Sequence, residues 1–145
     1  MNFFSRPLIF LLFGLIFASA ASAENMKKVG NLNVHYMAIG ATFLTPEIAK
    51  AYGIERSRYN GLVNISVLDN SQTSNPAKTV VMSGKARNDL GQIKSLEFQE
   101  VKEGAAIYYL AQIKYSNEET IHFDIDIIDG TEKHKLKFSQ KFYVD

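Results

Sequence analysis

From Asn31 to the C-terminus, apolar and polar residues alternate with period two in short runs rich in Val, Ile, Tyr, Phe and Thr, separated by Gly, Asn, Asp and Ser. Alternation of this kind turns one face of a strand inward and the other toward water, so the chain reads as all-β. Seven strands are predicted, near Leu32–Ile39, Gly61–Leu68, Lys78–Arg87, Ile93–Val101, Ala106–Tyr115, Thr120–Ile128 and Lys133–Val144. Residues Glu24 to Gly30 read as a loose leader, and Asp69 to Pro76 as a polar loop by composition. One segment breaks the pattern. In Thr45–Gly53, Thr45 suits a helix cap, Pro46 the first helical position and Gly53 the stop, so a two-turn helix is expected between the first two strands.

Turn chemistry constrains how these strands pair. Asp129-Gly130 lies between two alternating runs and signals a two-residue hairpin, and Glu103-Gly104 is a weaker version of it. With Asp129-Gly130 as the loop, Asp126 faces Lys133, Asp124 faces Lys135 and His122 faces Lys137, while Phe123 meets Leu136 and Ile121 meets Phe138. The other hairpin sets Phe98 against Tyr109 and Leu96 against Ala111. Strands four and five then pair, as do six and seven, and the longer links after strands two and three cross between sheets. The expected architecture is a seven-stranded antiparallel immunoglobulin-like sandwich without the disulfide and core Trp of antibody domains; a closed antiparallel β-barrel is the alternative.

The N-terminus changes the picture of where this domain works. Arg6 precedes an apolar run from Leu8 to Phe17 and the small-residue sequence Ala21-Ser22-Ala23, the layout of a secretory signal peptide. Residues 1–23 are read as that signal and 24–145 as one domain. The chain has 16 Lys and Arg against 15 Asp and Glu, and because Arg6 belongs to the signal, the domain carries no net charge. That balance gives no electrostatic case for nucleic acid. With no cysteine, the chain has neither disulfides nor a lipoprotein anchor, and stability has to come from packing and hydrogen bonds. A free periplasmic protein is expected, with full secretion as the alternative and no membrane anchor.

Candidate chemistry is sparse, and no cofactor is implied. His122, Asp124 and Asp126 share one strand face but sit opposite lysines, which favours a charge-paired, solvated face over a metal site. His134 reads as a strand-end residue at the sheet margin, and His35 as locally hydrogen-bonded. A Ser–His–Asp arrangement has no sequence elbow to support it, since its members meet only in space. Asn64-Ile65-Ser66 matches a glycosylation sequon inside a strand, by chance. Tyr108 and Tyr109 point to opposite faces; Tyr109 is the inward one, and Tyr108 is left to pack under the helix or to meet a partner. The helix and its flanks make the candidate binding surface: Phe43, Thr45, Pro46, Tyr52, Arg56 and Tyr108. Phe43 and Ile48 are expected to be buried, Arg56 and Tyr108 exposed.

The runs Thr42-Phe43-Leu44-Thr45-Pro46, Ala51-Tyr52-Gly53-Ile54 and Arg56-Ser57, together with Gly91-Gln92, Ile107-Tyr108-Tyr109 and Phe138-Ser139-Gln140, resemble a family of small exported proteins of Gram-negative bacteria known only as a domain of unknown function. The resemblance spans nearly the whole mature chain and implies an exported single-domain protein with no catalytic residues to carry over. The expected function is a non-enzymatic periplasmic interaction module that binds a protein, peptide or envelope component. A small periplasmic hydrolase or metal-dependent enzyme, with a site assembled only in the fold, is the alternative. The signal reading makes Glu24 the mature N-terminus: intact-mass measurement of the periplasmic fraction should find it, and retention of residues 1–23 would contradict it.

Overall fold

The computed structural model describes residues 25 to 144, so the signal-peptide reading lies outside the described residues. Nine strands are present: β1 (Asn25–Val29), β2 (Leu32–Gly40), β3 (Asn60–Asp69), β4 (Val81–Asn88), β5 (Ile93–Leu96), β6 (Gln99–Glu103), β7 (Ala106–Lys114), β8 (Glu119–Asp129) and β9 (Glu132–Phe142). The expected seven become nine for two reasons. The supposed leader forms β1, whose Lys-rich, exposed residues bury neither face and so carry no alternation. The expected strand Ile93–Val101 breaks at Glu97-Phe98, where the chain leaves one sheet for the other.

Both sheets are antiparallel, one ordered β1-β2-β3-β7-β6 and the other β5-β4-β8-β9, and they do not close into a barrel. The link after β3 crosses between sheets as expected, but the link after β4 does not, because β5 folds straight back on β4. Inner faces meet in a shared core, with Val63, Ile65 and Val67 of β3 against Phe123, Ile125 and Ile127 of β8. A chain of rings crosses this core. Tyr36 lies 4.5 Å from Phe138 and Phe138 lies 4.8 Å from Phe123, while Tyr115 stacks on Phe142 at 4.4 Å. Tyr109 points inward as expected; its hydroxyl accepts from the Val80 amide at 2.9 Å and donates to Glu100 at 2.8 Å, clasping β7 to the chain entering β4.

Three hairpins share one turn design. The loops Gly30-Asn31, Gly104-Ala105 and Gly130-Thr131 each put positive φ on the glycine alone, as turns with Gly in the first central position do. The expected loops began one residue too early, so both registers move by two residues. Asp124 faces Lys137 instead of Lys135, Phe123 faces Phe138 instead of Leu136, and Tyr109 faces Glu100 instead of Phe98. A two-residue step keeps every side chain on its expected face. Lys135 still reaches Asp124 diagonally at 3.1 Å and holds Asp126 at 3.0 Å.

The helix, α1, runs from Pro46 to Tyr52, with a 3-10 turn at Ala41–Phe43 before it. Thr45 caps it by accepting from the Ile48 amide at 3.2 Å. At the other end Gly53 has φ of 68°, its amide bonding Lys50 while that of Ile54 bonds Ala49, a Schellman ending. Ile48, Ala49, Tyr52 and Ile54 pack on Leu62, Leu110 and Tyr108, so the helix seals the outer face of the five-stranded sheet in a second core.

At one end of the sandwich Gly40 pairs with Gly61. A Cβ on Gly61 would stand 3.0 Å from the Phe142 ring, 3.2 Å from the Tyr115 ring and 3.3 Å from the Ile39 carbonyl oxygen. Gly61→Ala should therefore cost about 1–3 kcal/mol by overpacking, measured by urea unfolding. A neutral substitution would show that the Tyr115–Phe142 stack does not press on this strand.

Candidate functional site

The structure redistributes the candidate surface residues. Tyr108 is only 6 % exposed and Tyr52 is buried beside it, so both belong to the helix–sheet core and not to a partner surface. Phe43, expected in the core, is 79 % exposed. The reversal follows from the 3-10 turn, which directs Ala41 and Leu44 inward and leaves Phe43 between them facing out. Thr45 and Pro46 are exposed, but Thr45 is engaged as the helix cap. Arg56 is a brace: its Nε donates to the Leu44 carbonyl at 2.8 Å and its Nη2 to the Thr42 carbonyl at 3.3 Å, fixing the turn that presents Phe43.

Phe43 stands at the rim of a groove of about 360 Å³, lined also by Ile39, Gly40, Arg58, Lys141 and Tyr143. Its floor is the Tyr115–Phe142 stack, brought close because Gly40 and Gly61 have no side chains. The Tyr143 side chain is 56 % exposed, and Lys141 sits 5.5 Å from its ring. Arg58 lies 5.8 Å from the ring of half-exposed Tyr59. Aromatic and Arg side chains anchor many protein interfaces. Arg58, Tyr143 and Lys141 were not among the sequence candidates. The terminal aromatics were visible as residues, but their approach to Phe43 depends on β9 ending beside β2, which no local pattern encodes.

Elsewhere several polar side chains engage one another. On the outer face of the four-stranded sheet, His122 Nδ1 lies 2.7 Å from Ser139 Oγ and Nε2 lies 2.7 Å from Asp89. This joins a Ser, a His and an Asp, yet Ser139 is the cross-strand neighbour of His122, and its hydroxyl meets the ring nitrogen opposite to that used in hydrolase triads. His134 packs its ring against Gly30. Among the described residues no group of three His, Cys, Asp or Glu could hold a metal ion, and no helix is long and apolar enough to cross a membrane. Asn64 is buried in β3, with neither amide atom bonded among the described residues.

Beneath the helix, the Tyr52 hydroxyl donates to Glu103 at 2.9 Å. Burial, then the bond to Glu103 and its charge, push this phenol well above its ordinary value of 10.0. Burial raises Tyr108 as well, with Glu103 adding to it. Tyr109 is pushed up to about 12 by burial and by Glu100, against the opposing bond to Val80.

Comparison with known proteins places these features. A family model described as a domain of unknown function, DUF4426, matches residues 26–145. No curated protein matches the chain. A crystal structure of a DUF4426 family protein from Pseudomonas aeruginosa PAO1 is 30 % identical, covers 86 % of this chain and 98 % of its own, and superposes with a TM-score of 0.74. Two structures of FetP from uropathogenic Escherichia coli strain F11 share the fold alone. A copper-bound variant is 11 % identical with a TM-score of 0.57, covering 83 % of this chain and 95 % of its own. The form isolated after expression in the periplasm is 10 % identical, also with a TM-score of 0.57, covering 83 % and 94 %.

The raised phenols set an alkaline limit. A tyrosine whose folded-state pKa is raised stays neutral in the fold where the unfolded chain has already ionised, so its stability is present below pH about 10 and is lost as pH rises through the folded value. The thermal midpoint should fall from pH about 10 upward, and Tyr52→Phe should flatten that fall. A midpoint unchanged up to pH about 12 would contradict the buried Tyr52–Glu103 pairing.

Proposed function

The chain belongs to the DUF4426 family, and from that premise we propose that it is a non-enzymatic interaction module of the periplasm which binds a protein, peptide or envelope component through the Phe43 groove. The observation that carries this reading is an exposed Phe43 held in place by Arg56, facing Tyr143 across a groove with an aromatic floor. Most other aromatic rings pack into the two cores. A fold that buries most of its aromatics elsewhere and presents two at one groove leaves an apolar contact for something other than itself.

The surface differs from the one expected around the helix. Because α1 closes over Tyr108 and Leu110, its buried side is a lid on the sheet, and the binding side moves to the turn before it. The strand orders β2-β3-β7-β6 and β5-β4-β8-β9 support an immunoglobulin-like reading of the sandwich, an architecture that commonly binds through its ends and edges. Periplasmic residence is supported by the signal-like N-terminus and by the likeness in fold to FetP, which was isolated after expression in the periplasm. Copper is named for one FetP structure, and the residues lining the groove include no His, Cys, Asp or Glu that would carry it over. The hydrolase reading has the Asp89–His122–Ser139 chain in its favour, but the two ring nitrogens are used in the reverse of a hydrolase triad.

A photoreactive phenylalanine analogue at position 43 or 143 tests the proposal in cells. Leu90, a side chain 85 % exposed on the β4–β5 turn, is the control. Defined adducts with an envelope component are expected from 43 and 143 and not from 90, and Phe43→Ala should change stability by no more than about 0.5 kcal/mol. Equal adducts from all three positions would move the functional surface elsewhere.

A further inference from the structure

The outer face of the four-stranded sheet holds more cations than its acids use. Register aligns two rows across β4, β8 and β9, Lys85–Asp124–Lys137 and Arg87–His122–Ser139. Opposite charges on directly facing strand positions normally pair, so Lys85 and Lys137 are the natural partners of Asp124. They do not take it. Lys135 reaches Asp124 diagonally at 3.1 Å and Asp126 at 3.0 Å, and Lys133 lies 3.9 Å from Asp126, so two carboxylates and two ammonium groups balance one another. Lys85 and Lys137 are exposed and form no ion pair or hydrogen bond among the described residues. The exposed Arg87 guanidinium makes one hydrogen bond, to the neighbouring Asn88 carbonyl at 3.2 Å.

These three cations line a single cavity of about 460 Å³. Its own acid, Asp124, is held by Lys135, while Asp89 lies outside the lining and 2.7 Å from His122 Nε2. Ile93, which faces Arg87 from β5 and is 62 % exposed, gives the cavity an apolar wall. Across two strand spacings Lys85 and Lys137 stand about 10 Å apart at the backbone, and Arg87 stands about 7 Å from Lys85 along β4. Long side chains on that spacing can meet around one anion.

Three unpaired cations call for more than one negative charge at a single point. A carboxylate supplies one. A phosphate monoester supplies nearly two, with terminal oxygens for the ammonium groups and a bidentate match for the guanidinium. The cavity is larger than a phosphate group and falls within the range of small-molecule sites. We propose that it binds a small soluble phosphate monoester, with the phosphate held by Lys85, Arg87 and Lys137 and the organic part lying along Ile93.

The test uses the chain beginning at Glu24 at pH about 8, where a phosphate monoester is close to fully dianionic. Phenyl phosphate is the probe, compared with phenyl sulfate, which has a similar shape and one charge, with inorganic phosphate, and with phosphatidylglycerol vesicles. Phenyl phosphate should bind saturably, shift the NMR amide signals of Lys85, Arg87, His122 and Lys137, and bind on the order of tenfold more tightly than phenyl sulfate or inorganic phosphate. The double variant Lys85→Gln/Lys137→Gln should weaken it by about tenfold or more while amide signals away from the site stay in place, which shows that the fold is intact. Lys50→Gln/Lys102→Gln, which removes two exposed charges elsewhere, should change it less than about twofold. Equal weakening in both double variants, or equal affinity for the three soluble anions, would reduce the binding to general charge attraction and overturn the site. Absence of phenyl phosphate binding would overturn it as well, and shifts of the same amides by the vesicles in that case would assign the cations to a lipid surface.

Discussion

The two sheets of this protein are held together mainly by packing. With no cysteine in the chain, nothing covalent ties the inner face of β3 to that of β8, and the contact of Val63, Ile65 and Val67 with Phe123, Ile125 and Ile127 must hold the sandwich closed. Each strand therefore has to keep its inward and outward sets in place, since a slip of one residue would carry the apolar set into water. The glycine-led turns at Gly30, Gly104 and Gly130 serve this end, fixing hairpin register where the strands begin to pair. The Tyr109 clasp to Val80 adds one polar tie across the sheets in an otherwise apolar interior.

The same demand for closure shapes the surface. The five-stranded sheet has an apolar outer face as well as an apolar inner one, and α1 covers it with Ile48, Ala49 and Tyr52. At the end of the sandwich the Tyr115–Phe142 stack fills the gap between sheets, and the Gly40–Gly61 pair gives it room. Beside that stack runs Met37–Gly40 of β2, which among the described residues pairs with β3 alone. The groove proposed as the binding surface lies along that strip.

Much of the fold was legible because its signals are local. Thr45, Pro46 and Gly53 specify the start and stop of α1, and the period-two runs locate most of the strands and the face each residue takes. The signals that failed depend on distant parts of the chain. β1 is too polar to alternate and is a strand only because β2 offers it an edge. Nothing in Ile93–Val101 marks the step between sheets at Glu97-Phe98, which is set by where β4 and β7 lie. The hairpin loops were placed one residue early because Gly was assigned the second central position of the turn and takes the first. Around the candidate surface, burial is the reverse of the expectation at Phe43 and Tyr108, while Ile48 is buried and Arg56 exposed as expected. Phe43 and Tyr108 are both large and aromatic, and only the direction of a three-residue turn and the position of the helix decide which of them meets water.

The central claim is that the groove beside Phe43 is open to a partner, and it borders Met37–Gly40, which among the described residues pair with β3 alone. Hydrogen exchange on the protein alone, resolved by NMR, tests it most directly. Within β2, amides from Leu32 to Tyr36 should be protected throughout, whereas from Met37 to Gly40 only those facing β3 should be protected and the alternate ones should exchange quickly. Uniform slow exchange from Leu32 to Gly40 would mean that another part of the chain already fills the groove, and would contradict the account.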